Sequence, residues 1–277
     1  MKNILVPTNF SELSDYAFDL AMKIAVANGA NIHALKVIEA PGDTLFDKEG
    51  NLLECTEYDT AKLKSEAKDA ENKMAEWLAK KSIQAGGMIK IGHWYEVILD
   101  QANKCNCDLI VMGAEYSSGI KEAITATVAD RIVRKSTIPV LSLKCDRREL
   151  ELKNILIAGD FRSPAKADLD ILKKLLIAFK ADLHLLKVNT DKDFETQRQV
   201  KDRMQTFADL NQLQVKSFNI YCDRSMEQGI VNFCDDYNMD LLAIGKHDRS
   251  DLSHLFRSSK AEDIVNHVFK PILTFKI

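Results

Sequence analysis

No run in the 277-residue sequence approaches the ~20 consecutive apolar residues a helix needs to cross a bilayer. Met1 to Phe10 also lacks a basic stretch followed by a long apolar core. A membrane is therefore not an expected partner, and the sequence reads as a cytoplasmic protein. Six cysteines, at 55, 105, 107, 145, 222 and 234, are too few for a disulfide scaffold in a chain of this length. Cys105 and Cys107 could chelate a soft metal, but C-x-C without a second pair or a nearby His reads more simply as two helix-end thiols. Eleven Gly and five Pro argue against a collagenous repeat or long disorder. With 38 Lys plus Arg against 41 Asp plus Glu, the net charge is -3, so no global basic field is available to hold a polyanion and nucleic acid is not an expected partner. Catalytic signatures are missing too. There is no phosphate loop of the form G-x-x-x-x-G-K followed by Ser or Thr, no nucleophile elbow G-x-S-x-G, and no paired-His zinc motif, so no catalytic residue and no ATP hydrolysis are expected.

What the sequence does contain is itself, twice. Lys2-Asn3-Ile4-Leu5 recurs as Lys153-Asn154-Ile155-Leu156. At the same offset, Phe10 matches Phe161, and His33-Ala34-Leu35-Lys36-Val37 matches His184-Leu185-Leu186-Lys187-Val188, with 13 identities in 36 ungapped positions. The ends repeat at an offset of 132, pairing Asp108-Leu109 with Asp240-Leu241, Gly113 with Gly245 and Pro139 with Pro271, with 10 of 37 positions identical. The offset shrinks because the first copy carries extra residues near 41 to 59. A repeat this long is a domain rather than a solenoid unit, and two domains, 1–147 and 148–277, are expected, joined by the charged stretch Asp146 to Leu152.

Short apolar runs alternate with amphipathic ones in each copy. In the first, Asn3 to Val6, Ile32 to Ile38, Met88 to Ile91, Leu109 to Met112 and Val140 to Leu143 read as strands buried on both faces. Leu13 to Ala27, Thr60 to Ser82, Tyr95 to Lys104 and Thr127 to Lys135 have helical apolar spacing. In the second, the expected strands are Ile155 to Ala158, Leu183 to Val188, Val215 to Ile220, Leu241 to Ile244 and Ile272 to Phe275. The fold class is therefore α/β: two tandem Rossmann-like, doubly wound domains, each a five-stranded parallel sheet with helices on both faces. In the extra segment, Leu45-Phe46 and Leu52-Leu53 flank turn formers and predict a small hairpin, either a flap over a ligand or surface decoration.

Read through its residues, the chain resembles the universal stress protein family in its tandem form. Ile4-Leu5-Val6-Pro7-Thr8-Asn9-Phe10-Ser11 is similar to the family's opening strand and loop, where an Asp usually stands at the place of Asn9; Ile155-Leu156-Ile157-Ala158-Gly159-Asp160-Phe161 keeps the acid. The family's fourth strand ends in a glycine, with a second Gly three residues on and a Gly-Ser or Gly-Thr ten residues later in nucleotide-binding members. Copy one reads Gly113, Tyr116, Ala126-Thr127, and copy two reads Gly245, Asp248, Ser258-Ser259, so only the first glycine stands in each. Such glycines let backbone N–H groups approach phosphate oxygens at a helix start. Tyr116 would obstruct that approach, and Asp248 would repel it.

The resemblance implies a strand order of 3-2-1-4-5 and a ligand crevice beyond the carboxyl ends of strands one and four. Asp160 would face the adenosine portion of a nucleotide, with Gly245, His247, Ser250, Ser258 and Ser259 toward the phosphates. The copy-one counterparts are Asn9, Gly113, Ser118 and Thr127. It also implies that Val140 to Lys144 and Ile272 to Lys276 pair inside one chain. A homodimer and a small-molecule nucleotide remain open as partners, and ATP or another adenine nucleotide in the C-terminal domain is the open cofactor. Simpler readings stand beside these. Thr127 with Asp130 and Ser259 with Glu262 fit helix caps, and Asn9 and Asp160 fit a turn or cap. His33 and His184 fit core or sheet-edge histidines better than metal ligands, and His93-Trp94-Tyr95 fits packing at a helix start.

Overall fold

The computed structural model describes residues 1–40, 45–46, 52–54, 60–81, 85–114, 128–144, 151–162, 166–246 and 270–276. The chain divides into two compact units, Met1–Gly113 and Ala114–Ile277.

In the first unit, chain order runs β1 (Asn3–Pro7), α1 (Glu12–Asn28), β2 (Asn31–Glu39), β3 (Leu45–Phe46), β4 (Leu52–Glu54), α2 (Thr60–Ala79), β5 (Gly86–Gly92), α3 (Trp94–Lys104) and β6 (Leu109–Gly113). Strands β5, β2, β1 and β6 lie side by side, all parallel. Ile4, Leu5 and Val6 of β1 and Leu109, Ile110 and Val111 of β6 are fully buried, as their continuous apolar runs predict for strands covered on both faces. Helix α1 starts where Ser11 accepts a hydrogen bond from the Ser14 N–H and stops at Gly29, whose left-handed conformation (φ 65°) turns the chain out of the helix. The hairpin expected in the extra segment is β3 paired antiparallel with β4.

The second unit contains α4 (Val128–Lys135), β7 (Val140–Leu143), β8 (Asn154–Ala158), α5 (Asp170–Phe179), β9 (Asp182–Asn189), α6 (Gln197–Leu210), β10 (Ser217–Cys222), α7 (Met226–Asp236), β11 (Leu241–Lys246) and β12 (Ile272–Lys276). Its parallel strands follow the order β10, β9, β8, β11, β12, the expected 3-2-1-4-5. Beyond β12 lies β7, antiparallel, with Ile272 opposite Ser142, Leu273 opposite Leu141 and Thr274 opposite Val140. The terminal strands of the two sequence repeats thus pair within one chain. One core face gathers Leu156, Leu186 and Val188 from the sheet with Ile230, Phe233 and Cys234 from α7.

Several bounds differ from the pattern reading; β5, for one, begins at Gly86 rather than Met88. Strand β10 begins at Ser217 rather than Val215, because the chain is still leaving the left-handed turn at Gln212 (φ 52°). Helix α5 has 10 residues against 17 in α1. The counterpart of the Ser11 cap is Arg162, whose guanidinium has no acceptor to offer a helix N–H.

Candidate functional site

At the junction after β1, Phe10 sits in the left-handed region (φ 62°), and Phe161 does the same after β8 (φ 55°). A bulky residue pays for this conformation only where the surroundings hold it. Both copies hold it alike. Asn9 Oδ1 accepts from the Ser11 N–H at 3.0 Å, and Asp160 Oδ1 accepts from the Arg162 N–H at 3.0 Å, each closing an Asx turn around the phenylalanine. The ring then packs edge-on against an aromatic of the helix after next: Phe10 on Trp77 of α2, with centroids 6.0 Å apart, and Phe161 on Phe207 of α6 at 5.3 Å. Asn9 Oδ1 also accepts from Ser14 Oγ at 2.6 Å, so the amide oxygen is tied into the start of α1.

The parallel pairing of β1 with β6, and of β8 with β11, brings Asn9 and Gly113 to one sheet end and Asp160 and Gly245 to the other copy's equivalent end. Gly113 has a packing reason of its own. A Cβ there would lie 2.6 Å from Leu13 Cγ and 3.1 Å from the Leu13 carbonyl oxygen, because α1 seats its first turn directly on the end of β6. Gly245 lies in β11 opposite Phe275 of β12. The remaining candidates, Ser118, Thr127, His247, Ser250, Ser258 and Ser259, lie outside the described residues, as do Tyr116, Ala126 and Asp248.

A cluster of charges that pattern reading missed caps the carboxyl ends of β8 and β9. Lys187, only 1% exposed, donates from Nζ to Asp193 Oδ2 at 2.7 Å and to the Val188 carbonyl at 2.8 Å. Arg162 pairs with Asp193 and, at 3.3 Å, with Glu195. Arg203 grips Glu195 with two parallel bonds of 2.8 and 2.6 Å. Burial by itself would raise the Asp193 carboxyl, but hydrogen bonds from Lys187 and Arg162 together hold it below the ordinary carboxylate value. The Arg203 fork, aided by Arg162, does the same for Glu195 against a smaller burial effect. The one available signal was a lysine in the middle of an apolar strand, repeated as Lys36 and Lys187.

The histidines at equivalent strand positions are hydrogen-bonded. His33 Nε2 lies 3.3 Å from Asn3 Oδ1; His184 Nε2 lies 3.3 Å from Asn154 Oδ1, with its Nδ1 2.7 Å from Ser217 Oγ. In the neutral ring, Nε2–H donates to the asparagine and Nδ1 accepts from the serine. Burial pushes the His184 imidazole below its ordinary value of 6.5, Lys216 adds to this, and Asp182 opposes it. A base whose folded pKa is depressed contributes stability in full above the unfolded value and loses it as pH falls toward the folded one. The urea midpoint should therefore drop as pH is lowered from 7 to 5, and His184→Gln should flatten that dependence.

His93 does not cap α3 with its own side chain. Glu39 reaches across from β2 instead, accepting from the Trp94 N–H at 3.0 Å, while Trp94 and Tyr95 pack edge-on at 5.4 Å. Burial, with Cys105 and Asp108 nearby, pushes the Cys107 thiol up to about 12. Among the described residues, no helix is long and apolar enough to cross a membrane. Along the β10 edge of the second unit runs an open cleft of about 440 Å³, bordered by Asn189, Phe194, Tyr221, Phe233 and Tyr237.

Comparison with known proteins agrees with the repeat. Residues 1–144 and 151–276 each match the model of the universal stress protein family. Universal stress protein Slr1230 of Synechocystis is 23% identical over 301 aligned residues that span 100% of both chains. Universal stress protein MJ0531 of Methanocaldococcus jannaschii is 27% identical over 148 residues, covering 53% of this chain and 85% of that protein. Among solved structures, a universal stress protein from Archaeoglobus fulgidus superposes with a TM-score of 0.72 at 18% identity, over 99% of this chain and 96% of that one.

Proposed function

The chain belongs to the universal stress protein family, with two family domains in tandem, and from that premise we propose that it is a cytoplasmic stress-response or signalling protein without robust catalysis. Its modules, 1–147 and 148–277, work as an intramolecular pair whose nucleotide motifs are degenerate. The observation that carries this reading is the state of the ligand-facing positions in copy one. There the acid is replaced by Asn9, whose side-chain oxygen is tied to Ser11 and Ser14. The surviving glycine is filled against by Leu13. Positions that would hold a nucleotide are serving the fold. The antiparallel pairing of β7 with β12 adds support, because the edge through which such modules would associate is satisfied inside the chain.

A second reading, an adenine-nucleotide sensor working mainly through the C-terminal module, is favoured by one feature of Asp160. Its Oδ1 closes the Asx turn, while Oδ2 makes no hydrogen bond to any described residue. An acceptor oxygen is thus left over in copy two, suited to the hydroxyls of a ribose. Titration of the full chain with labelled ATP and magnesium separates the two readings. The first expects no saturation at millimolar nucleotide. Micromolar binding that is lost in Asp160→Asn would establish the second. That variant keeps the turn, as Asn9 does in copy one, so loss of binding would report the missing carboxylate rather than a misshapen loop.

A further inference from the structure

The parallel strands of the second unit end differently on their two sides. On one side, β12 is paired by β7. On the other, β10 is the last strand, and alternate residues of Ser217–Cys222 turn their backbone N–H and C=O groups away from β9 with no described strand to receive them. Such edges are ordinarily guarded by a lysine, a proline, a bulge or a covering segment. The six residues of β10 carry no charge and no proline, and its register with β9 runs unbroken from Ser217 opposite His184 to Cys222 opposite Asn189. The corresponding strand of the first copy, β5, carries Lys90 and has glycine at both ends, Gly86 and Gly92.

The cleft on this edge is lined by five successive residues of β10, Phe218 to Cys222, so it follows the strand for about 13 Å. Helix α7 supplies an aromatic wall: Tyr221 packs edge-on against Phe233 at 5.7 Å, and Phe233 stacks on Tyr237 at 4.4 Å. The Tyr221 hydroxyl donates to Asp236 Oδ2 at 2.7 Å, which fixes its ring. From the loop before α6 comes Phe194, 71% exposed, and Tyr237 is 56% exposed; these are the two aromatic rings among the large apolar side chains left in water in the described residues. The charges of the lining are unequal. Glu195 is answered by Arg203 and Arg162, whereas Lys201 is exposed and makes no ion pair to any described residue. The lining segments, 189–201, 218–222 and 233–237, are described throughout, and the stretch 247–269 leaves from β11 and returns at β12, three and four strands from β10.

We propose that this cleft receives an extended segment of a partner protein, which pairs through its backbone with the outer edge of β10, sets apolar side chains against Phe194 and Tyr237, and places a carboxylate by Lys201. An added strand supplies what the edge lacks, backbone donors and acceptors at strand spacing, and side chains that alternate between two faces. The uncompensated ammonium selects an acidic segment over a second copy of this chain, which would bring its own Lys201 to the same cleft. The proposal gives the signalling reading a partner surface, and the nucleotide titration bears on neither its success nor its failure.

A phage-displayed library of random peptides of about eight residues, selected on the immobilised full chain, tests the proposal, with the enriched sequences then titrated as free fluorescent peptides. The expected peptides alternate apolar residues and carry Asp or Glu. Their affinity should fall about tenfold or more in Tyr237→Ser and in Phe194→Ser. It should also fall in Lys201→Glu and return there when the acid of the peptide is exchanged for lysine. Amide hydrogen exchange across 217–222 should slow on binding. Phe194 and Lys201 are exposed, so their variants keep the comparison valid even where Tyr237→Ser disturbs the end of α7. Failure of the library to enrich would overturn the proposal, as would peptides whose affinity is unchanged in Phe194→Ser and Lys201→Glu, or unchanged exchange at 217–222 in the bound chain. A chain that sediments as a dimer, and as a monomer in Phe194→Ser, would overturn it in favour of a second copy.

Discussion

Replacing Asp193 with alanine is expected to lower the unfolding free energy by roughly 3 kcal/mol, because it strands a buried ammonium. Lys187 is 1% exposed, and its only carboxylate partner among the described residues is Asp193. With the acid gone, the Val188 carbonyl remains as an acceptor but supplies no countercharge. The reverse replacement, Lys187→Met, should be far milder. It removes the desolvated charge and leaves Asp193 with Arg162. A double-mutant cycle read by urea unfolding would show the asymmetry: Asp193→Ala added to Lys187→Met should cost about 1 kcal/mol or less. Equal losses for the two single variants would refute this account. The acids also give the cluster a pH signature. Asp193 and Glu195 are held below their unfolded values, so their contribution is complete above about pH 5 and disappears as pH falls through the folded values.

Gly113→Ala should cost about 1–3 kcal/mol, the usual range for forcing a methyl group into a filled space. The new carbon would press on Leu13 Cγ at 2.6 Å and on the Leu13 backbone oxygen at 3.1 Å. A side-chain tip can swing away, but a helix-start carbonyl cannot without moving the Ser11 cap. Leu13→Ala in the same chain should recover part of the loss, and not all of it. If Gly113→Ala unfolds at the wild-type midpoint, α1 does not seat on β6 as described. The same pair of variants separates packing from ligand binding: a glycine kept only for phosphate approach would tolerate alanine with no loss of stability.

The candidate site was legible to different depths in different places. Asn9, Asp160, Gly113 and Gly245 could be placed at strand ends because apolar runs of four to six residues stop there, and the structure puts them at the ends of adjacent parallel strands. Their local roles were not legible to the same degree. That Asn9 closes a turn, binds Ser14 and holds Phe10 left-handed follows from short-range geometry which a sequence pattern permits without requiring. The shortened α5 was not read from the pattern, although Arg162 stands where the first copy has its capping serine. The charge cluster was not visible, because its members come from four separate stretches of the second unit and meet only when β9 and α6 are packed.

The strand order came with the resemblance to the family, while the sequence by itself determined the duplication and the alternation of strand and helix. These follow from periodicity and near-identical local strings, which encode what each segment buries. Only the tertiary structure decided which charges face one another. Lys36 and Lys187 sit in nearly the same words, yet Lys187 meets Asp193, while Lys36 makes no ion pair to any described residue. Asp193 stands only six positions on, but past the end of the strand, where the strand period no longer says which way a side chain turns.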